Sequence, residues 1–352
     1  MKETGGSSHD TRRRFEQWAN NPHCAANAAS AILNIPMTAV VRAEGGLAKF
    51  GQSPFALARG KSFERAMFKD KAAVLRAELT ACGVLSSAST GFADFRFTQN
   101  GGPCGKLDDA LNGTIKWLKE LTAGRINRAI AASATIRIPG GVMLPHATLC
   151  IDAIAVTVRN RKPTLIVGEI KVYPDRGGYT DNMQLATSRA QAGMYVHGLR
   201  LAIDAAKLST KISVDSTGFL VLSKIGSNRI SVRHNEDFSG QADRARAGLS
   251  MLSAVAQKLD LTPSTGLPVI QNAAVSYCEA CVEFCERADI CRARADAMGD
   301  GAVLGDEVQQ FLGDVGLDRV RALAEGASPA NQQEKEIATL LATAEATDER
   351  RT

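Results

Sequence analysis

Two apolar runs separated by a short polar stretch constrain this chain more than any other feature. Ala147–Val158 and Thr164–Tyr173 are rich in β-branched residues, and Arg159-Asn-Arg-Lys-Pro163 lies between them. Apolar runs of this kind, bounded by polar turn residues, read as paired buried strands. They predict a β-hairpin with a loop of about five residues. Each strand carries charge where a buried strand should carry none: Asp152 in the first, Glu169 and Lys171 in the second. Unpaired charge in a core is costly, so these residues call for a partner. Side chains at i and i+2 of a strand share a face, so Glu169 and Lys171 are expected to project together.

Asp on one strand and Glu-x-Lys on its neighbour is the pattern that phosphodiester hydrolysis on a sheet requires. Two carboxylates bind Mg²⁺ or Mn²⁺, hard cations that want oxygen ligands. Such an ion polarises the phosphate and lowers the pKa of a bound water. Lys171 would orient or deprotonate that water and offset charge in the transition state. The carbonyl of Ile170 is a further candidate ligand. The plain alternative is a buried Asp152–Lys171 pair that holds the hairpin together.

The rest of the chain is read around this hairpin. Residues 1–14 are polar and expected to be disordered, with no apolar core of a secretory signal. No run of 18 apolar residues is present. A cytoplasmic protein without membrane contact is the expectation. Pro54–Leu79 predicts one long helix, with Gly60 and Glu64 on one face and Gly60 allowing close approach of a ligand or another element. Residues 83–106 read as loop, Leu107–Ala132 as helix, and Thr135–Ile138 as a short strand. Asn182–Ala202 predicts a helix with Gln191 and Tyr195 one turn apart. Gln191 is placed to hydrogen-bond a ligated carboxylate or a phosphate, and Tyr195 to stack on a base or contact the backbone. Gly218–Ser223 and Arg229–Arg233 predict a second strand pair, and Phe238–Leu259 a helix.

Charge is unevenly spread. Residues 296–352 hold 12 acidic and 5 basic residues, a net of −7. The whole chain carries +5, so the other 295 residues carry +12. A basic body suits a polyanion, and an acidic tail limits non-specific binding.

Eight cysteines in a cytoplasmic chain are not expected to be disulfides. Cys82, Cys104 and Cys150 are scattered and expected to be inert. Cys278, Cys281, Cys285 and Cys291 fall within 14 residues, which points to a metal. Either these four hold Zn²⁺ locally, or three of them join the distant Cys24 around a [4Fe–4S] cluster. Cys24 precedes an Ala-rich helical stretch, a position where thiolates are favoured. The cluster would staple the two ends of the chain around the sheet.

These residues resemble a known family. Asp152, Glu169-Ile-Lys171 and Gln191-x-x-x-Tyr195 look like the RecB-type branch of the PD-(D/E)XK nucleases. An early Cys and a late Cys-rich run enclosing them look like its iron–sulfur members, such as the CRISPR-associated RecB-like exonucleases and the AddB subunit. The resemblance spans residues 15–295 in motif order. It implies an α/β fold with a mixed central sheet flanked by helices, a restriction-endonuclease-like core, and a helical Cys-rich C-terminal part. It also implies a metal-dependent DNA exonuclease with a structural cluster, acting on single strands or duplex ends. No Walker A motif is present, so a helicase or defence-system partner would be a separate chain. Many relatives carry a His before the Asp as a metal ligand. Here the only His between Cys24 and Asp152 is His146, too near to Asp152, and Glu64 is the candidate instead. The usual late spacing is Cys-x2-Cys-x5-Cys. Cys285-x5-Cys291 fits its second part, with Cys281 preceding it and Cys278 as the substitute. The domain reading is 1–14 disordered, 15–295 nuclease, and 296–352 an acidic, helical, partly disordered tail. The alternative is a non-catalytic, zinc-stapled nucleic-acid-binding or assembly module.

Overall fold

The hairpin is the centre of the computed structural model, which describes residues 15, 18–19, 21–47, 54–86, 91–96, 107–125, 130–138, 148–225, 229–262, 264–278 and 280–348. Cys104, His146 and the start expected to be disordered lie outside the described residues. In chain order the elements are α1 (Ala25–Leu33), α2 (Met37–Ala43), α3 (Pro54–Met67), α4 (Lys69–Ala81), β1 (Phe92–Asp94), α5 (Leu107–Thr122) and β2 (Ile130–Arg137). Then come β3 (Thr148–Arg159), β4 (Lys162–Asp175), α6 (Asn182–Ala205), β5 (Ser213–Val214), β6 (Thr217–Lys224), β7 (Ile230–Asp237) and α7 (Ser239–Lys258). The remainder is helical: α8 (Leu267–Asn272), α9 (Ala280–Phe284), α10 (Ala288–Met298), a 3₁₀ turn (Gly301–Leu304), α11 (Asp306–Leu312), α12 (Leu317–Ala324) and α13 (Gln332–Asp348). The described residues divide into two compact units, residues 54–254 and residues 15–47 with 255–348.

The first unit is α/β, built on a mixed seven-stranded sheet flanked by helices. The strand order is β1-β2-β3-β4-β6-β7, with β5 pairing β4 off this path. Strands β2, β3 and β4 are antiparallel neighbours. Strand β6 is parallel to β4, β7 is antiparallel to β6, and β1 is parallel to β2. The hairpin loop is tighter than the sequence suggests. Arg159 pairs with Lys162, so only Asn160 and Arg161 turn the chain. Their φ values are 52° and 63°, the left-handed pair that a two-residue hairpin demands.

One face of the sheet is covered by α3 and α4. Phe63, Met67, Phe68, Leu75 and Leu79 pack on Ala132, Ala153, Ala155, Ile166, Phe219 and Val221. The small alanines of β2 and β3 leave room for the large helical side chains above them, which keeps the layer dense. Helix α6 meets a different set. A side chain at Gly198 would press on Leu149 and Ile136, so this glycine sets how closely α6 approaches β2 and β3.

Three helix and loop expectations are corrected. The long helix expected over residues 54–79 is two helices, α3 and α4. Asp70, Lys71 and Ala72 all have left-handed backbone at the break, which no continuous right-handed helix admits. The helix expected to reach Ala132 stops at Thr122, and Ile130–Arg137 is a strand with six of its eight residues buried. Burial between neighbouring strands overrides the helical preference of its alanines. The loop read over residues 83–106 contains β1. Among the described residues, no helix is long and apolar enough to cross a membrane.

The second unit is helical. Helix α1 is buried at eight of its nine residues. Leu312, Leu323 and Ile337 form a small core that joins α11, α12 and α13. Arg319 of α12 reaches Glu334 of α13 with Nη2–Oε2 2.6 Å. The described part of the acidic tail is therefore packed helix.

Gly168 tests the sheet packing. A Cβ there would overlap the ring of Phe219 on β6. Gly168→Ala is expected to cost about 1–3 kcal/mol of stability by urea unfolding, as overpacking does. The added cost should largely vanish in a Phe219→Ala background.

Candidate functional site

The register of the hairpin brings the two acidic residues together. Ala153 pairs with Gly168, so Asp152 and Glu169 are the next residues along the two strands. Asp152 is half-buried, and its Oδ2 accepts a hydrogen bond from the Ile170 N–H at 3.0 Å. Glu169 is fully buried. Its Oε1 lies 2.8 Å from Lys171 Nζ, and the Lys171 side chain is 13% exposed. Glu169 and Lys171 thus share a face as the strand period requires. The plain alternative pairs Lys171 with Asp152; the structure pairs Lys171 with Glu169. Ile170, read from sequence as a carbonyl ligand, supplies its N–H to Asp152. It also pairs with Val221 just before a bulge in β4.

Around Asp152 the ladder is interrupted. Ala132 pairs with Ala153 and Ala134 with Ile151, so Ser133 falls opposite Asp152. Ser133 has φ 54°, a left-handed backbone that costs a non-glycine residue energy and occurs disproportionately at functional sites. The Cys150 thiol is pushed up to about 12, by burial first and then by the Asp152 charge, against hydrogen bonds with Ser133 and Thr135. At that value the thiol is protonated. Glu64 also acts on this thiol, so Glu64 of α3 and Asp152 of β3 come within electrostatic reach of one point. Burial raises the Glu64 pKa, the Arg96 charge opposes this, and Asp94 adds to it. The Arg96 side chain is gripped by Asp94 through two hydrogen bonds, its backbone N–H donates a third, and the guanidinium lies over the Phe68 ring at 4.8 Å. The space beside Gly60 is open to 4 Å, so among the described residues no neighbouring element presses on this glycine.

The helix carrying Gln191 and Tyr195 starts at Asp181, whose carboxylate caps the N–H groups of Met183 and Gln184 at 3.0 Å. Gln191 and Tyr195 are 3% and 2% exposed. The expectation that Tyr195 stacks on a base is corrected, because its ring is enclosed. Arg189 on the same helix reaches Glu236 of β7 at 2.7 Å, and Arg233 reaches it at 3.0 Å. Arg59 was missed as a positioning residue. It donates to the Val172 carbonyl at 2.8 Å and so ties α3 to β4 next to Lys171. Its place on a polar helix face gave no signal of this.

The second unit gathers the thiols. Cys24, Cys281, Cys285 and Cys291 line one cavity, with Met37 and Phe284 as apolar walls. Cys278 is not among the lining residues, but its Sγ lies 3.8 Å from Cys281 Sγ. Burial pushes the Cys285 thiol up to about 12, the Arg287 N–H opposes this, and the charges of Cys281, Cys24 and Cys291 add to it. Burial likewise pushes Cys291 up to about 11, with the Arg287 guanidinium opposing and Cys24 and Cys281 adding. Three groups beside the thiols were missed in the sequence. The Arg287 side chain is 1% exposed and paired with Glu44 through Nε–Oε2 at 2.9 Å and Nη2–Oε1 at 2.5 Å. Asn21 donates from Nδ2 to Cys281 Sγ at 3.2 Å. A charged Glu286-Arg287 pair inside a cysteine run was the available signal.

Among the described residues, no three His, Cys, Asp or Glu side chains already stand at ion-holding spacing. Compared with known proteins, the chain matches no family model, no curated protein and no solved structure.

The Arg189–Glu236 link holds α6 to β7 and is pH-sensitive. Burial works to raise the Glu236 pKa, but hydrogen bonds from Arg189 and Arg233 outweigh it and hold the carboxyl below the usual 4.5. A depressed carboxylate contributes stability above its unfolded pKa and loses it as pH falls through the folded value. Glu236→Gln should therefore lower the melting temperature at pH 7. The gap to wild type should close as pH falls below 4.5, followed by thermal unfolding across the acid range.

Proposed function

We propose that this chain is a Mg²⁺- or Mn²⁺-dependent deoxyribonuclease of the RecB-like PD-(D/E)XK type, acting as an exonuclease on DNA ends. The observation that carries the reading is the placement of Asp152 beside Glu169 across one hairpin, with Lys171 on the face of Glu169. The sheet around it lends support. An antiparallel β2-β3-β4 meander is followed by α6 and by β6 parallel to β4, an arrangement compatible with a restriction-endonuclease-like core. The +12 charge carried by residues 1–295 suits a DNA backbone.

The donor set is suited to a hard cation. Asp152 and Glu169 would hold it, with Glu64 the candidate third carboxylate. A bound divalent ion supplies charge that polarises a phosphate and acidifies a water. The chain's own groups set the frame. The Ile170 N–H fixes one Asp152 oxygen, and Lys171 places an ammonium beside the buried Glu169 carboxylate. Gln191 and Tyr195 act from within the α6 packing as positioning residues. A helicase or defence-system protein would join as a separate partner.

The cavity thiols suit a soft metal group, and we assign Cys24, Cys281, Cys285 and Cys291 to a structural [4Fe–4S] cluster. Burial raises the pKa of Cys285 and Cys291 and the charges of Cys24 and Cys281 add to it, so ionising the cavity thiols calls for compensating positive charge. A metal group supplies that charge, and thiolate ligation is its usual response. A zinc-stapled, non-catalytic nucleic-acid-binding module is the second reading. It is favoured by the Glu169–Lys171 ion pair, which engages a carboxylate oxygen that an ion would use.

Incubation with labelled single- and double-stranded DNA in Mg²⁺, Mn²⁺ or EDTA tests the reaction. Asp152→Ala and Lys171→Ala are each expected to lower cleavage at least about 100-fold, the scale of losing one electrostatic stabiliser, with unchanged circular dichroism. Undiminished cleavage by either variant would overturn the assignment, and salt-dependent binding without hydrolysis would favour the second reading. Anaerobically purified protein is expected to be brown and to contain iron. Stoichiometric zinc without iron would replace the cluster by a zinc site.

A further inference from the structure

The five clustered cysteines exceed the four that line the cavity, and the extra one is placed for a different chemistry. Cys278 and Cys281 form a Cys-x-x-Cys pair with sulfurs 3.8 Å apart. Closing that gap to a disulfide bond of about 2.05 Å is a small movement. Their environments differ. Cys278 is partly exposed and Cys281 is 7% exposed. Cys281 Sγ accepts from Asn21 Nδ2 at 3.2 Å and stands 3.5 Å from the Cys278 N–H. These contacts hold the Cys281 sulfur beside Cys278, and in exchange the thiolate is the attacking species. An accessible first cysteine and a buried, hydrogen-bonded second one divide the labour of thiol–disulfide exchange.

We infer that Cys278 and Cys281 are a redox-active dithiol that closes to a disulfide and withdraws Cys281 from the cavity. The co-reactant is a low-molecular-weight disulfide such as oxidised glutathione. The Cys278 sulfur attacks one of its sulfurs, forming a mixed disulfide and expelling one thiolate. The Cys281 thiolate then attacks Cys278 Sγ, forms the intrachain bond and expels the second thiolate. Two protein thiols lose two protons and two electrons, and the small disulfide takes them up to become two thiols. Cys281 is then no longer available as a ligand, and the cavity keeps three thiols. The consequence for metal uptake rests on the proposed metal-holding role of the cavity thiols; the disulfide itself does not.

The test uses the full chain, metal-free and reduced, equilibrated in glutathione buffers of rising oxidised fraction, then alkylated and peptide-mapped by mass spectrometry. A Cys278–Cys281 disulfide is expected to form ahead of any other pair, and Cys278→Ser should lose it. Pairing of Cys281 with Cys24, Cys285 or Cys291 would overturn the inference. So would glutathione adducts on Cys278 that never resolve to an intrachain bond. A second arm supplies ferrous iron and sulfide, or Zn²⁺, anaerobically after removal of glutathione. Oxidised wild type should take up neither until dithiothreitol is added, while Cys278→Ser given the same oxidant should load at once. Equal loading of oxidised and reduced wild type would overturn the gating step. If the disulfide forms but the reduced chain binds no metal, the metal reading fails and the dithiol stands.

Discussion

The register between β3 and β4 is the constraint on which the rest of the first unit depends. A slip of one residue would turn every side chain of one strand to the opposite face. Asp152 would then part from Glu169, and the alanines beneath α3 and α4 would give way to larger neighbours. Two features hold the register. Asn160 and Arg161 close the hairpin in two residues, and Gly168 leaves space for the Phe219 ring of the next strand. The same contact therefore joins the hairpin to the parallel half of the sheet. The next residue, Glu169, is a buried carboxylate paired with an ammonium, a combination that contributes little to stability when set against apolar packing. Glu169 closes a run of six buried residues on β4.

The strands of this hairpin were legible because both are apolar, β-branched and bounded by polar residues. The turn between them was not, because neither Asn160 nor Arg161 is the glycine that announces a tight loop. The first part of strand β2 was hidden for the opposite reason, while its end at Thr135–Arg137 was legible. Its Ile-Ala-Ala-Ser-Ala run favours helix locally, and only the packing of neighbouring strands makes it extended. The break between α3 and α4 left no proline or glycine in the sequence at Asp70–Ala72. Asp152, Glu169 and Lys171 were readable as charges out of place. The Ile170 N–H that bonds Asp152, Ser133 opposite Asp152 and Arg59 on the Val172 carbonyl were not, since their places depend on register and on the approach of a distant helix. Tyr195 shows the limit of helical periodicity: it fixed the shared face with Gln191 but not whether that face meets solvent.

In the second unit the expensive groups are concentrated in one place. Arg287 and Glu44 are a buried ion pair, and breaking such a pair by removing one partner costs about 3–5 kcal/mol because the survivor is left uncompensated. The guanidinium also lies within electrostatic reach of Cys291 and offsets part of the negative charge that ionised sulfurs would bring. The acid, the base and the thiols come from segments more than 200 residues apart in the chain: Arg287 and Glu44 are separated by 243 positions. Nothing in local sequence links them.

That separation has a consequence for synthesis. Helix α1 is almost wholly buried, yet the later part of its unit begins only at Val255. A ribosome emitting about 5–20 residues per second leaves this apolar helix waiting on the order of ten to forty seconds for its partners. The intervening sheet unit can fold during that interval. The thiol-bearing unit is thus the last to assemble, and the nascent chain passes through a stage with its early helix uncovered, the stage at which a chaperone has most to hold.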